Sequence, residues 1–149
     1  MKLIKRNDIK LIIAGEFYQP VDKYLNLIND LDLNDKIIIN NKFLDSKMIR
    51  DYICASDLVI QPYIKASQSG ITPLCYFYET PMVVSDIEGL KEVILRDKSG
   101  AIFKKTAENL STVILESLEK KKNLNYKENI KKSKVKYSWL SFIKELQKL

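Results

Sequence analysis

The hydrophobic positions of this chain alternate between short continuous runs and stretches with helical spacing. Continuous apolar runs of four to seven residues are typical of strands buried in a parallel sheet. Five mostly apolar runs occur, at residues 9–15, 36–40, 57–61, 81–85 and 101–104. Between them apolar residues recur every three or four positions, as in Val21, Tyr24, Leu25, Ile28 and Leu31. Because that spacing predicts amphipathic helices, the alternation predicts parallel β-α units.

Repeated β-α units predict an α/β fold: an open doubly wound parallel sheet, Rossmann-like, with about five strands and C-terminal helices. Ser46, Ser69 and Thr106 can cap the helices that follow them. A short helical turn is expected over residues 89–95, and the last forty residues predict helices only. These helices carry an apolar stripe, expected to dock on the sheet or on a neighbouring domain, formed by Trp139, Phe142, Ile143 and Leu146.

The composition is that of one soluble domain, with 149 residues of which 46% are hydrophobic and 30% charged. The absence of histidine excludes Ser-His-Asp and Cys-His catalysis and disfavours a zinc site. Cys54 and Cys75 lie in apolar helical patterns and are expected to be reduced core residues. A zinc site is therefore not expected, and neither another metal nor a cofactor is predicted for this chain.

The net charge of +6 belongs to the C-terminal tail. Residues 120–148 carry ten Lys and two acidic residues, a net +8, whereas the rest of the chain carries a net −2. With three Arg in the whole chain, nucleic-acid binding is not expected. The tail is interpreted as a solvated Lys-rich face, and attraction to anionic lipid headgroups is the alternative. Since no apolar run could span a membrane and no signal peptide opens the chain, we expect a cytoplasmic protein, or one peripheral to the membrane.

The segment from residue 61 to residue 74 is the principal candidate site. It follows the third predicted strand, and doubly wound sheets bind ligands beyond the carboxyl ends of their strands. The small polar residues Ser67, Gln68, Ser69 and Gly70 precede a predicted helix. Backbone N–H groups at a helix N-terminus, together with the helix dipole, favour an anion. The sequence therefore predicts a phosphate-binding loop.

Seven segments, in this order, resemble the C-terminal half of a family 4 retaining glycosyltransferase of the GT-B architecture. They are LIIAGE (11–16), SDLVIQPY (56–63), SQSG (67–70), TPMVVS (80–85), GLKE (89–92), KSG (98–100) and YSW (137–139). The resemblance implies that residues 1–149 form a single domain that binds a nucleotide-diphosphate sugar. It also implies that the first strand of this domain and the N-terminal acceptor-binding half lie outside the chain, because residues 1–6 look like a helix end with no strand before it.

Donor-contacting residues also follow from the resemblance. Gly15 and Glu16 would approach the donor, Phe43 would lie near the base, and the loop from Ser67 to Ile71 would cradle the diphosphate and the sugar. Tyr63 is interpreted either as a donor contact or as a packing residue beside Pro62. Glu92 is interpreted either as a residue near the sugar or acceptor, or as a charge that favours the helix start.

Two departures from the family pattern weaken the catalytic part of the resemblance. The family carries two glutamates eight residues apart around the loop, and the corresponding positions here are Ala66 and Leu74. The basic residues that neutralise the donor diphosphate would lie upstream of Met1, with Lys42 or Lys65 as partial substitutes. No catalytic residue can therefore be assigned, and the isolated chain is not expected to transfer sugar.

Two functions of different classes remain. The first is the donor-binding half of a glycosyltransferase for polysaccharide or glycoconjugate synthesis, with the acceptor-binding half in the same or a neighbouring chain. The second is a non-catalytic Rossmann-like partner or degenerate module. A response-regulator receiver fits the size and alternation, but no Asp follows the third strand, which ends in Ile60, Gln61 and Pro62.

Overall fold

The computed structural model of the protein describes residues 6–147. The chain divides into two compact units, Met1–Ile49 and Arg50–Leu149. The first unit contains strand β1 (Leu11–Ala14), helix α1 (Asp22–Asp30) and strand β2 (Ile37–Asn40). Strands β1 and β2 are parallel, with Leu11 opposite Ile37 and Ala14 opposite Asn40. Helix α2 (Ser46–Ala55) begins in the first unit and ends in the second.

The second unit builds a three-stranded parallel sheet in the order β3-β4-β5. Its strands and intervening helices are β3 (Val59–Gln61), α3 (Ile71–Phe77), β4 (Met82–Ser85), α4 (Glu88–Asp97) and β5 (Gly100–Phe103). The chain ends with α5 (Ala107–Ser117), α6 (Lys120–Lys134), a 3₁₀ turn (Val135–Tyr137) and α7 (Trp139–Leu146). Every residue of β4 is buried, as expected for a central strand covered on both faces.

The core of the second unit lies between this sheet and its helices. It is a cluster of buried side chains to which α3, β4, α4 and α6 all contribute: Cys75, Tyr76, Met82, Val84, Leu90, Ile94 and Ile130. Tyr63 and Ile71, at the two ends of the candidate loop, pack against the same cluster. The loop is therefore anchored at both ends to one rigid core.

A buried carboxylate joins the last helices to this core. Asp97 accepts hydrogen bonds from the Tyr76 hydroxyl at 2.9 Å and from the Tyr137 hydroxyl, and Arg96 Nε lies 3.2 Å from its Oδ1. Burial acts to raise the pKa of Asp97, but the hydrogen bonds from Tyr137, Arg96 and Tyr76 outweigh it and hold that pKa below its usual value. The segment after α6 is thus tied to the end of α4.

The α/β fold class with five parallel strands is confirmed, but the strands form two sheets, of two and three strands, among the described residues. The expected helical turn over residues 89–95 is a ten-residue helix, α4. Thr106 caps α5, as predicted, by accepting a hydrogen bond from the Asn109 N–H at 3.2 Å. One other capping prediction is wrong, because Asp45, not Ser46, accepts from the Met48 N–H at 2.7 Å. Ser69 bonds to the start of α3, with its Oγ accepting from the Ile71 N–H at 3.2 Å, although Gly70 holds the N-cap position.

Cys75 is a buried free thiol, as predicted, and burial raises its pKa to about 12. Cys54 is also a free thiol, but the prediction that it lies in the core is wrong, because Cys54 is exposed near the end of α2. In the predicted C-terminal stripe, Ile143 and Leu146 are 46% and 51% exposed. The side chains of Trp139 and Phe142, and residues 1–5 with their predicted helix end, lie outside the described part of the structure. No helix among the described residues is long and apolar enough to cross a membrane.

Candidate functional site

In the first unit, the chain turns sharply where β1 ends. Gly15 has a φ of +136°, a conformation that residues with a side chain rarely adopt, and its N–H donates to the Asn40 carbonyl at 3.1 Å. The turn opens a hollow of about 390 Å³ that both Gly15 and Glu16 line. Phe43 belongs to the same unit, but it does not line this hollow and is 72% exposed.

Aromatic side chains, among them Phe17 and Tyr24, also line this hollow. The Phe17 ring lies edge-on to the Tyr24 ring with 5.2 Å between centroids, and the Phe17 N–H donates to Asn41 Oδ1 at 3.0 Å. Phe17 follows the first predicted strand, and that position at the carboxyl end of a strand made it a candidate from the sequence. Tyr24 was interpreted as a half-buried core residue of the first helix, so its place in the hollow was not predicted.

In the second unit, the candidate loop of residues 62–70 runs from β3 to α3. The Thr72 hydroxyl donates to Gln61 Oε1 at 3.2 Å, which links the helix start back to the strand end. Lys105 Nζ donates to the Ile64 carbonyl at 2.7 Å, so the loop also bonds to the segment after β5. The loop is therefore held by hydrogen bonds as well as by the packing of its two ends.

Ser69 bonds to the start of α3. Its Oγ accepts from the Ile71 N–H at 3.2 Å, and its carbonyl accepts from the Thr72 N–H at 3.3 Å. The next residue, Pro73, has no N–H. In this conformation Ser69 therefore takes up the backbone donors that the sequence assigned to an anion, and α3 has only seven residues. Donors for a ligand would have to come from the loop that precedes Ile71.

A second hollow, of about 250 Å³, lies where the strands of the second unit end. It is lined by Pro62, Tyr63, Ile64, Ser85, Phe103, Lys105, Thr106, Ala107 and Leu110. Of the predicted contacts in this unit, Tyr63 lines the hollow, while the residues from Ser67 to Ile71 do not. The Tyr63 hydroxyl lies 3.4 Å from Ser69 Oγ, which is the link between the hollow and the loop.

Lys105 is the cation that sequence reasoning missed. Lys105 is exposed, as are the two predicted substitutes Lys42 and Lys65, but Lys105 lines the second hollow and its Nζ bonds to the loop backbone. The signal that could have identified Lys105 is its position just after the fifth predicted strand, where doubly wound sheets place ligand contacts.

The first turn of α4 lies directly against the candidate loop. A Cβ atom added to Gly89 would lie 2.0 Å from the Ser67 carbonyl oxygen and 2.8 Å from that of Ala66. Lys91 bridges Asp86 and Glu88, at 3.1 and 2.9 Å, around the same turn. Glu92 follows on the second turn of α4 and is exposed.

The candidate loop itself carries no carboxylate. Residues 61–74 contain no Asp or Glu, and the positions of the two expected glutamates hold the partly buried Ala66 and Leu74. Within residues 6–147, no group of three or more Cys, Asp or Glu side chains is arranged to hold a metal ion. The loop and the adjacent Lys105 can therefore form hydrogen bonds through hydroxyl, amide and ammonium groups. Such groups suit the recognition of an anion and of a polyol.

One family model matches most of the chain. The sequence profile described as glycosyl transferases group 1 matches residues 1–133. No curated protein sequence matches the chain significantly.

The solved structures that are similar include WaaG, a glycosyltransferase involved in lipopolysaccharide biosynthesis (15% identity, TM-score 0.73, 84% of this chain and 33% of that chain). They also include sucrose-phosphate synthase from Thermosynechococcus elongatus (15% identity, TM-score 0.75, 99% of this chain and 39% of that chain). A third is Anabaena HepE in complex with UDP-glucose (17% identity, TM-score 0.75, 84% of this chain and 35% of that chain). The chain spans 33% to 39% of the length of these three, and the likeness shows a shared fold.

Proposed function

The chain belongs to the glycosyl transferases group 1 family, and from this premise we propose that it is the donor-binding half of a glycosyltransferase that uses a nucleotide-diphosphate sugar. The observation that carries the proposal is the family match over residues 1–133, which include the whole candidate loop. HepE, a structure similar over 84% of this chain, was solved with UDP-glucose. Polysaccharide or glycoconjugate synthesis is the process we propose for the complete enzyme.

We propose that the donor contacts are those predicted from the sequence. In the first unit they are Gly15, Glu16 and Phe43, and in the second they are Tyr63, Ser67, Gln68, Ser69, Gly70, Ile71 and Glu92. The support in the first unit is the hollow at the end of β1. The support in the second is a loop anchored at both ends and bonded to the ammonium group of Lys105, whose positive charge suits a diphosphate.

We further propose that the complete enzyme contains a strand ahead of β1 and an acceptor-binding half, in the same or a neighbouring chain. The chain spans little more than a third of the similar solved structures. An acceptor hydroxyl from that half would attack the anomeric carbon of the bound sugar. The new glycosidic bond would form as the bond to the diphosphate breaks, and the nucleoside diphosphate would leave, with its terminal phosphate oxygen accepting the proton of the acceptor hydroxyl.

A non-catalytic module is the second candidate, and one observation favours it. Residues 61–74 carry no carboxylate, and Ser69 already bonds to the N–H groups at the start of α3. A module of this kind would fold as described here but would bind no nucleotide.

Titration with UDP and UDP-glucose, followed by amide chemical shifts of the ¹⁵N-labelled chain, separates the two candidates. Donor binding predicts shifts at residues 67–71 and at Gly15 with millimolar UDP, and weaker shifts with uridine, which lacks the diphosphate. Gln68→Ala should weaken UDP binding, whereas the exposed Gln147→Ala should not. If UDP shifts no amide at these concentrations, donor binding is wrong and the non-catalytic module is supported.

We also propose that the chain works on the cytoplasmic side of a membrane and contacts its surface through α6. This helix exposes Lys120, Lys121, Lys131 and Lys132 beside Leu124, whose side chain is 50% exposed. Juxtamembrane lysines each contribute about 1 kcal/mol near an anionic surface. Co-sedimentation with vesicles that contain anionic lipid should be strong at low salt and lost at high salt. Equal binding to neutral vesicles would contradict this contact.

A further inference from the structure

The candidate loop lies on the first turn of α4, and the contact is made by backbone. The Cα of Gly89 faces the carbonyl groups of Ala66 and Ser67 so closely that a Cβ would lie 2.0 Å from the Ser67 oxygen and 2.4 Å from its carbon. Contacts below about 3 Å are not tolerated between such atoms. Backbone atoms cannot rotate away as the end of a flexible side chain can, so any larger residue must displace the loop or the helix.

The turn on which the loop lies is itself held firmly. The Asp86 N–H donates to the Phe103 carbonyl at 3.0 Å, and the Ile87 N–H donates to the Ser85 carbonyl at 2.8 Å. Leu90, the residue after Gly89, is 2% exposed in the core cluster. The first turn of α4 is therefore fixed both to the sheet and to the core.

Residues 66–68, in the middle of the loop, take no part in the hydrogen bonds that hold Ile64 and Ser69. Its ends, Tyr63 and Ile71, pack on the core cluster, but Ser67 and Gln68 are exposed, and the Gly89 backbone lies against the carbonyl groups of Ala66 and Ser67. If the loop were pushed outward, its ends would stay in place while its middle moved. The middle is the part whose backbone and side chains would meet the donor diphosphate under the proposed function.

We propose that Gly89 is a positioning residue. Its close contact with the loop lets residues 66–68 lie directly on the first turn of α4, and that position determines their ability to bind the diphosphate of the donor. The proposal rests on the proposed function, since it concerns the same loop. The proposal explains why residue 89 is a glycine without requiring Gly89 itself to contact the ligand. Because no side chain fits between helix and loop, substitution should act on binding through loop position.

The experiment compares Gly89→Ala with Tyr137→Phe, which removes a hydrogen bond in the same unit away from the loop. In ligand-free protein, Gly89→Ala should shift the amides of residues 66–68, and Tyr137→Phe should not. Gly89→Ala should raise the Kd for UDP about tenfold or more, equivalent to the loss of one good hydrogen bond. Tyr137→Phe should leave the Kd for UDP within about twofold of the wild-type value, even if its melting temperature falls as much as that of Gly89→Ala.

Wild-type protein supplies a second measurement that does not depend on the variant folding. Nuclear Overhauser contacts from the Gly89 Hα protons to protons of Ala66 and Ser67 are expected with and without UDP. Absence of these contacts, or a Gly89→Ala variant with unchanged loop amides and unchanged UDP affinity, overturns the proposal. If wild-type protein binds no UDP, the proposed function fails, while the amide shifts and the Overhauser contacts still decide whether Gly89 positions the loop.

Discussion

Replacing Asp97 with Asn tests whether the buried carboxylate holds the C-terminal helices on the core. The substitution keeps the shape of the side chain and removes its charge. Two tyrosine hydroxyls, those of Tyr76 and Tyr137, then donate to a neutral amide oxygen in place of a carboxylate. The NH₂ group of the new amide also takes the place of a carboxylate oxygen, so it faces donors such as the Arg96 guanidinium instead of acceptors.

The expected loss follows from the hydrogen bonds involved. A bond to a charged group contributes about 1.5 to 3 kcal/mol and a neutral one about 0.5 to 1.5 kcal/mol, so each tyrosine bond loses about 1 kcal/mol. The ion pair with Arg96, whose side chain is 58% exposed, adds only a few tenths of a kcal/mol to this loss, because water screens its charge. The sum is about 2 kcal/mol, which in a domain of this size lowers the melting temperature by about 4 to 8 °C.

The loss should depend on pH in a defined direction. Folding lowers the pKa of Asp97, so the stabilisation is complete above the unfolded-state pKa of about 3.9. It disappears as pH falls through the lower folded-state pKa, where the carboxylate is protonated. The difference between the wild type and Asp97→Asn should therefore be constant from pH 8 to about pH 5 and shrink at more acidic pH.

Thermal unfolding followed by circular dichroism, at pH 7 and again near pH 3, measures both effects. Asp51→Asn is the matched control, because Arg50 and Asp51 are also adjacent in a helix, at 2.7 Å, but their side chains are 48% and 54% exposed. That variant should unfold within about 1 °C of the wild type. Equal losses in the two variants, or a pH-independent loss in Asp97→Asn, would refute the reasoning.

Two further predictions concern backbone conformation and capping. Lys98 ends α4 with a φ of 50° and a ψ of 39°, so Lys98→Gly should raise the free energy of unfolding by about 1 kcal/mol in urea. Glu79→Gly, at a φ of 61°, should raise it less, because Glu79 also pairs with Lys134. Thr106→Ala should lower it by about 1 kcal/mol, because the Asn109 N–H loses its acceptor, and Thr106→Ser should restore it.

The strands of the fold could be predicted from the sequence because their signal is local. Each observed strand begins and ends within about two residues of an apolar run, and such a run can be recognised without knowing which strand it pairs with. The helix starts were harder. Asp45 and Ser46 are both good caps, and the choice between them depends on where the helix begins, which the packing of α2 decides.

The candidate site could be predicted only in part. The rule that ligands bind beyond the carboxyl ends of parallel strands identified the loop after β3 and the turn at Gly15. It did not identify the bond from Lys105 to Ile64 or the contact of Gly89 with Ser67. These pairs are 41 and 22 residues apart in the chain, and no periodicity links residues across such distances.

The sequence by itself determined the alternation of strands and helices, the capping of α5 by Thr106 and the family to which the chain belongs. Only the tertiary structure decided that the five strands pair as two and three, that Cys54 is exposed, and that Asp97 is buried between two tyrosines. The physical reason is the sequence distance over which each interaction acts. Apolar spacing and capping act within one or two turns of chain, whereas burial and close backbone contact depend on which distant segments fill the same space.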